Sequence, residues 1–200
     1  VESGLLGSLH TIIADHGQRL YPHGPQRLSD PQLAGGALLD LGVYPLAFAA
    51  MLMPVIERVS ATGTVTSTGV DAQEAITLIG ASPGAEGGVT ASLTATMLGQ
   101  TANTAVVAGN SARIELDGWF YQPTTLRLVD PDEGVLDVRE LDPADKGVGL
   151  RYEAAEVARR ITAGERETPQ MSHAETLRIM AIMDEVRRQI GVAYPGEKPA

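Results

Sequence analysis

The chain has 200 residues and a formal net charge of −10 at pH 7, from 15 Lys and Arg against 25 Asp and Glu. This acidic balance argues against nucleic-acid binding, because phosphates are neutralised by clustered lysine and arginine side chains. The absence of cysteine excludes disulfides, thiol catalysis and cysteine-ligated zinc. The composition, 44% hydrophobic and 20% charged, is that of a globular protein, and we expect a cytoplasmic one.

No membrane association is expected from the sequence. Apolar runs stay shorter than the roughly 18 residues of a membrane span, and the longest candidate, residues 41–56, contains Pro45 and Pro54. The first residues, VESGLLGSLH, have neither the basic nor the apolar region of a signal peptide. They also lack an initiator Met and lead almost directly into a strand, so we expect the start of the natural protein to be missing.

The first predicted elements are a strand, a loop and a helix. Residues 8–17 form a β-branched run closed by a glycine, which predicts a strand. Residues 18–33 contain three prolines and no hydrophobic period, which predicts a loop. Residues 35–53 predict a helix that is apolar on nearly all sides and therefore buried. Pro45 lacks an amide donor and clashes one turn back, so we expect a kink or break there.

A period of two residues then predicts a run of strands. In residues 57–68 and 88–97, apolar or small residues alternate with polar ones, mostly threonine and serine. The other strands are expected at 75–80, 103–109, 112–116, 124–129 and 134–140. Connections this short favour antiparallel pairing. The acidic stretch 129–145 is interpreted as surface loop and edge strand.

The polar face of this sheet carries small hydroxyls and few charges. Such a face would suit a flat partner interface, and it would equally suit a solvated face, because threonine has a high β propensity. The chain ends in two amphipathic helices, one from residue 150 to 161 and one that begins with the capping box Ser172–Glu175 and ends at Gly191. This order predicts an α+β fold, a mostly antiparallel open sheet with helices on one face.

Nucleotide-binding and metal-binding motifs are absent from the sequence. There is no G-x-G-x-x-G, no P-loop and no nucleophile elbow. The four histidines, His10, His16, His23 and His173, are too scattered for the three or four converging ligands of a zinc site, so we expect no metal.

The stretch GGALLDLGVYPL, residues 35–46, carries Asp40 and Tyr44 at a spacing that puts both on one helix face. Buried polar groups need partners. The two could be a structural pair, or they could line a site where a hydroxylated substrate meets a proton donor or acceptor. A phenol titrates near pH ~10, so the second interpretation needs a nearby cation. The only lysines are Lys146 and Lys198, and neither is an obvious candidate.

The same stretch resembles the signature of the second domain of the glucose–fructose oxidoreductase, inositol dehydrogenase and rhizopine-catabolism (Gfo/Idh/MocA) family, most closely its dihydrodiol and xylose dehydrogenase branch. Similar segments follow in order at 68–78, 109–123, 149–161 and 175–197. In that family an N-terminal Rossmann domain binds NAD or NADP and supplies a lysine, whereas an α+β domain supplies the substrate pocket and often a dimer interface. The resemblance implies that residues 1–200 are this second domain and that the first is absent from the chain. The EKP at 197–199 is interpreted as coincidence.

Carried over by residue, the resemblance gives Tyr44 the acid/base position and Asp40 the position that bonds the substrate hydroxyl or the acid/base residue. Gly35 and Gly36 match the glycine turn near the nicotinamide and are the cofactor-binding candidates. Four weaker candidates fall where substrate-pocket side chains lie, and each could equally serve packing or turn structure: His16, Trp119, Phe120 and Tyr121.

The expected function is therefore the substrate-binding domain of an NAD(P)-dependent oxidoreductase. The complete protein would transfer hydride between the nicotinamide and a carbinol of a sugar, polyol or cyclic diol, and this chain alone would be inactive. A homodimer through the open sheet face is expected. The alternatives are a non-catalytic ligand-sensing or scaffold protein on the same fold, and a free-standing dimeric domain with a small-molecule pocket.

Overall fold

The computed structural model describes residues 3–82, 84–145, 147 and 149–197. Its centre is one eight-stranded sheet in the order β2-β3-β4-β1-β5-β6-β7-β8. All neighbouring strands are antiparallel except β1 and β4, which are parallel. The strands are β1 Leu9–Gly17, β2 Val55–Val65, β3 Asp71–Ala81, β4 Val89–Thr96, β5 Ala105–Gly109, β6 Arg113–Leu116, β7 Leu126–Asp130 and β8 Gly134–Arg139.

Helices cover one face of the β2-β3-β4-β1 half of the sheet. A π-helix, Leu38–Gly42, leads directly into α1, Val43–Leu52, and α3, His173–Ile190, lies beside them. The core forms where their apolar side chains meet the inner faces of the strands, and it includes Leu46, Leu78, Leu93, Ile182 and Val186. The predicted α+β fold is confirmed.

The ends of α3 follow the predicted chemistry. The Ser172 hydroxyl accepts a hydrogen bond from the Glu175 amide at 3.1 Å. Gly191 closes the helix with a φ of 78°, a left-handed conformation that glycine adopts without steric cost.

The break expected at Pro45 is wrong, because α1 continues through Pro45, its third residue. The missing amide leaves the Leu41 carbonyl without its usual helical donor. The irregularity lies upstream instead, in the π-helix. The expectation of a helix buried on all sides is also wrong, because Tyr44 is 42% and Met51 70% exposed.

By length and composition alone, the helical stretch Pro31–Leu52 would qualify as a membrane span. More than half of that stretch is buried inside the structure. Packing against the sheet accounts for its apolar character, as it does for core helices of globular proteins.

The amphipathic helix α2, Leu150–Thr162, has no buried residue. Leu150 and Ile161 are among its most exposed side chains. The apolar face of α2 is therefore largely exposed, and Val157 and Ile161 line a small cavity together with Met171.

The other face of the sheet is open and its side chains form a register-matched row. Ser60, Thr77, Ser92 and Ile13 pair in sequence across β2, β3, β4 and β1. Along β4, exposed hydroxyl-bearing residues alternate with buried apolar ones, as the period of two predicts. Ile13 is half exposed in the middle of this row.

Candidate active site

Tyr44 is the second residue of α1 and its ring stands at the mouth of a cleft of about 1290 Å³. The cleft lies between α1, the segment 169–172 and α3, and its lining is mostly apolar, including Phe48, Met51 and Met171. The phenol is therefore neither sealed in the core nor isolated on the surface. It can meet a small molecule that enters the cleft.

Asp40 lies on the π-helix, one turn before Tyr44. Its Oδ1 forms an ion pair with an Arg27 guanidinium nitrogen at 2.7 Å. Because the Arg27 side chain is 58% exposed, solvent screens this pair and it adds at most about 1 kcal/mol to stability. Arg27 lies in a short 3-10 helix, Gln26–Ser29, in the segment that precedes the π-helix.

Gly35 and Gly36 form the turn that leads into the π-helix, and contacts within this chain require both glycines. A Cβ on residue 35 would lie 2.6 Å from the Arg27 carbonyl oxygen. Gly36 has a φ of 125°, and a Cβ there would collide with the Asp71 carboxylate. The Gly35 carbonyl accepts a hydrogen bond from the Tyr194 hydroxyl at 2.8 Å.

Two buried carboxyl groups lie beneath this turn and the π-helix. At the start of β3 its register against β2 shifts by one residue, and Ala72 is left without a partner on β2. This shift turns Asp71 toward the helix side of the sheet. Asp71 Oδ2 accepts a hydrogen bond from the Leu38 amide at 2.5 Å and so caps the helix N-terminus. Burial raises the pKa of Asp71, and the amides of Leu38 and Ala37 partly oppose that rise.

Glu74 is the second of these groups. It is 3% exposed, and neither carboxyl oxygen has a hydrogen bond in the described residues. Burial, reinforced by the charge of Asp71, raises the pKa of Glu74 well above its ordinary value. Gly42 leaves room for this carboxyl, since a Cβ there would lie 2.8 Å from Glu74 Oε1.

His16 lies at the end of β1 and is 1% exposed. Its Nδ1 is 3.0 Å from the Leu41 carbonyl oxygen, and its Nε2 is 3.0 Å from the side-chain nitrogen of Gln18. Burial lowers the pKa of His16, although the Leu41 carbonyl and the charge of Asp40 act in the opposite direction. The ring is therefore neutral at neutral pH.

The aromatic turn, residues 119–121, meets His16 and Tyr44. The Tyr121 ring centroid lies 4.4 Å from that of His16 and 4.6 Å from that of Tyr44. Phe120 is buried against Phe48, with centroids 5.3 Å apart. Trp119 is 43% exposed and has a φ of 66°, an uncommon conformation for a residue with a side chain.

Asn103 fastens the aromatic turn to the end of β1. Its side-chain oxygen accepts from the Gly17 amide at 2.8 Å, and its carbonyl accepts from the Phe120 amide at 3.1 Å. Its own amide donates to Asp15 at 2.8 Å. Because Asn103 is itself buried, these bonds hold the aromatic turn beside His16.

The hydroxyl of Tyr121 is buried and has no hydrogen-bond partner among the described residues. Burial and the neighbouring Tyr44 raise its pKa to about 12, and Gln18, which lies near without regular hydrogen-bond geometry, opposes the rise. Tyr121 is therefore a neutral phenol at neutral pH. Of the two tyrosines, Tyr44 is the more exposed, and both line the cleft.

A protein-family profile matches the part of the chain that contains Asp40 and Tyr44. The GFO/IDH/MocA C-terminal domain profile matches residues 1–115, more than half of the chain. The chain belongs to the GFO/IDH/MocA family. The resemblance inferred from the GGALLDLGVYPL stretch is thereby confirmed.

Curated relatives of this GFO/IDH/MocA domain include trans-1,2-dihydrobenzene-1,2-diol dehydrogenases. The protein from Danio rerio is 35% identical over 194 residues, which cover 94% of this chain and 56% of the relative. The protein from Bos taurus is 34% identical over 205 residues, covering 98% and 58%. The chain thus spans a little more than half the length of these relatives.

Solved structures share the fold. A 3-ketoreductase from Actinomadura kijaniata, in complex with NADP and TDP-benzene, superposes with a TM-score of 0.77 at 24% identity and covers 94% of this chain and 56% of its own. An aldose-aldose oxidoreductase from Caulobacter crescentus, complexed with glycerol, gives 0.72 at 23% identity, covering 94% and 55%.

The GFO/IDH/MocA domain brings most of the predicted site residues together. Tyr44, His16 and Tyr121 form one aromatic cluster, and Asp40 precedes it by one turn. Phe120 lies behind the cluster in the core, and Trp119 stands at its exposed side with its ring 5.9 Å from Tyr121. Lys146 and Lys198 lie outside the described residues.

Several residues of the site escaped the sequence analysis. Arg27 and Gln18 lie in a loop without any period, so nothing in the local pattern marks them. Asn103 precedes a predicted strand as an ordinary polar residue. Asp71 and Glu74 could have been noticed as acidic residues in an otherwise apolar strand pattern. Within the described residues, no three acidic or histidine side chains converge to hold a metal ion.

Proposed function

We propose that this chain is the substrate-binding domain of an NAD(P)-dependent oxidoreductase that transfers hydride between a nicotinamide and a carbinol of a sugar, polyol or cyclic diol. The observation that carries the proposal is the exposed Tyr44 phenol at the mouth of an apolar cleft, with Asp40 one turn away. The dehydrogenase names of the relatives support the reaction class.

In this proposal Tyr44 holds or moves the proton of the substrate hydroxyl. The phenol would donate a proton to the forming alkoxide in the reductive direction and accept it in the oxidative direction. Asp40 would orient the hydroxyl, and its Oδ1 is held by the ion pair with Arg27. Trp119 and Tyr121 would offer ring faces to the substrate.

In this proposal residues 35–44 form one side of a nicotinamide site. The Gly35–Gly36 turn and Tyr44 lie on the same segment, residues 35–46. The glycines let its backbone pass close to Asp71 and Arg27. When bound, the cofactor would supply or accept the hydride. The polypeptide that the relatives have beyond this chain, proposed to be an N-terminal Rossmann domain, would hold most of the cofactor and contribute a lysine beside the phenol.

The proposed assembly is a cytoplasmic homodimer. The open face of the sheet supports it, because exposed threonine and serine side chains and the half-exposed Ile13 form a flat surface with few charges. Depletion of charged residues is the compositional feature of the core of protein interfaces.

The test uses the complete protein with Tyr44→Phe, which removes only the hydroxyl. We expect kcat to fall by about 10²-fold or more while the affinity for NAD or NADP is nearly kept. Tyr152→Phe is the matched control, since Tyr152 is an exposed phenol on α2. An unchanged rate for Tyr44→Phe would refute the catalytic role. Ligand binding without any turnover by the wild-type protein would favour a sensor on the same fold.

A further inference from the structure

His16 is buried at the end of β1, and both of its ring nitrogens are occupied by groups of this chain. The Leu41 carbonyl oxygen, 3.0 Å from Nδ1, can only accept a hydrogen bond, so Nδ1 must carry the proton. In the neutral ring Nε2 then accepts from the Gln18 amide nitrogen at 3.0 Å. The geometry therefore assigns a neutral imidazole protonated on Nδ1.

The Leu41 carbonyl needs this donor because of Pro45. In an α-helix the amide of residue 45 would donate to the carbonyl of residue 41, and proline has no amide hydrogen. The Val43 amide contacts the same oxygen from within the turn. A carbonyl has two lone pairs, and His16 supplies the second donor from the sheet.

The junction between the π-helix and α1 is also where Tyr44 is attached. The His16 ring meets the Tyr44 ring edge-on, with centroids 5.0 Å apart, and meets Tyr121 at 4.4 Å. One buried side chain thus contacts both the backbone that carries the phenol and the ring of the phenol itself.

We propose that His16 is a positioning residue for Tyr44: its Nδ1–H holds the Leu41 carbonyl that Pro45 leaves open, and its ring fixes the direction of the phenol. It has no free nitrogen to offer a substrate, so it acts through Tyr44. The inference rests on the proposed function for the role of Tyr44, and on the geometry alone for the histidine tautomer.

The tautomer is measured on the complete wild-type protein, and a variant is used only to assign the signal. Long-range ¹H–¹⁵N NMR spectra at neutral pH distinguish the two neutral tautomers and the charged ring. The spectrum of His16→Asn identifies which signal belongs to His16. We expect a protonated Nδ1 and an unprotonated Nε2. A ring protonated on Nε2 alone, or a charged ring, would overturn the proposal.

The positioning role is tested on the complete protein with a matched pair of variants. His16→Phe keeps a ring but removes the donor, whereas the Asn side chain in His16→Asn can place an N–H near the position of Nδ1. We expect His16→Phe to lower kcat by about 10- to 100-fold with KM changed by less than about threefold, and His16→Asn to recover part of the loss.

Equal and full activity of both variants would overturn the positioning role. So would a defect in KM alone, because that would place His16 in substrate binding. These failures leave the proposed function standing as long as Tyr44→Phe is impaired. An unchanged rate for Tyr44→Phe would refute both the proposed function and the positioning role. The tautomer of His16 would still be tested by the NMR measurement.

Discussion

Replacing Glu74 by methionine is expected to stabilise the protein at neutral pH. The Glu74 side chain is nearly inaccessible and lies against Gly42, and neither carboxyl oxygen has a hydrogen-bond partner among the described residues. Leaving a buried polar group unsatisfied costs about 1–3 kcal/mol, and an apolar side chain of similar length avoids that cost. For a chain of this size, about 2 kcal/mol corresponds to a rise in Tm of about 4–8 °C.

The pH dependence of this effect has a definite sign. The folded-state pKa of Glu74 is raised above its ordinary value of 4.5, so above that pH the native state keeps a proton that the unfolded state releases. Wild-type stability therefore falls as pH rises from 4.5 toward the folded pKa, by about 1.4 kcal/mol per pH unit from this group. The advantage of Glu74→Met should grow over the same interval.

Urea unfolding followed by circular dichroism, at several pH values between about 5 and 8, measures this difference. Glu74→Gln removes the titratable group but keeps a polar side chain. It therefore separates the stability cost of ionising the carboxyl from the cost of its missing hydrogen bonds. Glu57→Gln, on the exposed edge strand β2, is the control. A Glu74→Met variant that is less stable than wild type at every pH would show that the carboxyl has a stabilising partner and would refute this reasoning.

Two further predictions concern the glycine turn and the sheet face. Gly36→Ala should destabilise the protein by about 2 kcal/mol or more in the same unfolding assay, because the new Cβ combines a positive φ with a collision against Asp71. Gly69→Ala is the control and should cost less, since Gly69 has a positive φ but open space around it. The double variant Ser92→Lys, Thr94→Lys should convert a dimer of the complete protein to monomers, as measured by light scattering. A dimer that persists would argue against this face as the contact. Thr176→Lys is the control, because Thr176 is exposed on α3.

The sequence allowed most of the secondary structure to be predicted. The period of two in β4 is a local signal, and so are the N-cap Ser172 and the C-cap Gly191 of α3. Each of these signals determines the element in which it lies. The α2 helix was also predicted from its period. Its apolar face is nevertheless largely exposed, since periodicity shows which side is apolar and not what covers it.

The irregular features could not be predicted, because each depends on a contact between distant segments. Pro45 was expected to break its helix, and instead the π-helix precedes it and His16 from β1 supplies a donor to the Leu41 carbonyl. The cation beside Asp40 is Arg27, in a loop with no pattern. The register shift that turns Asp71 toward the helix N-terminus requires β2 as a partner.

The most direct measurement of the central claim is a crystal structure of the complete protein with NAD or NADP and a bound alcohol. The account predicts that the Tyr44 hydroxyl oxygen lies within about 3.2 Å of the substrate carbinol oxygen, on the side of the cleft that α1 provides. A substrate whose carbinol oxygen contacts another acid or base, with the Tyr44 hydroxyl beyond hydrogen-bonding reach, would contradict it.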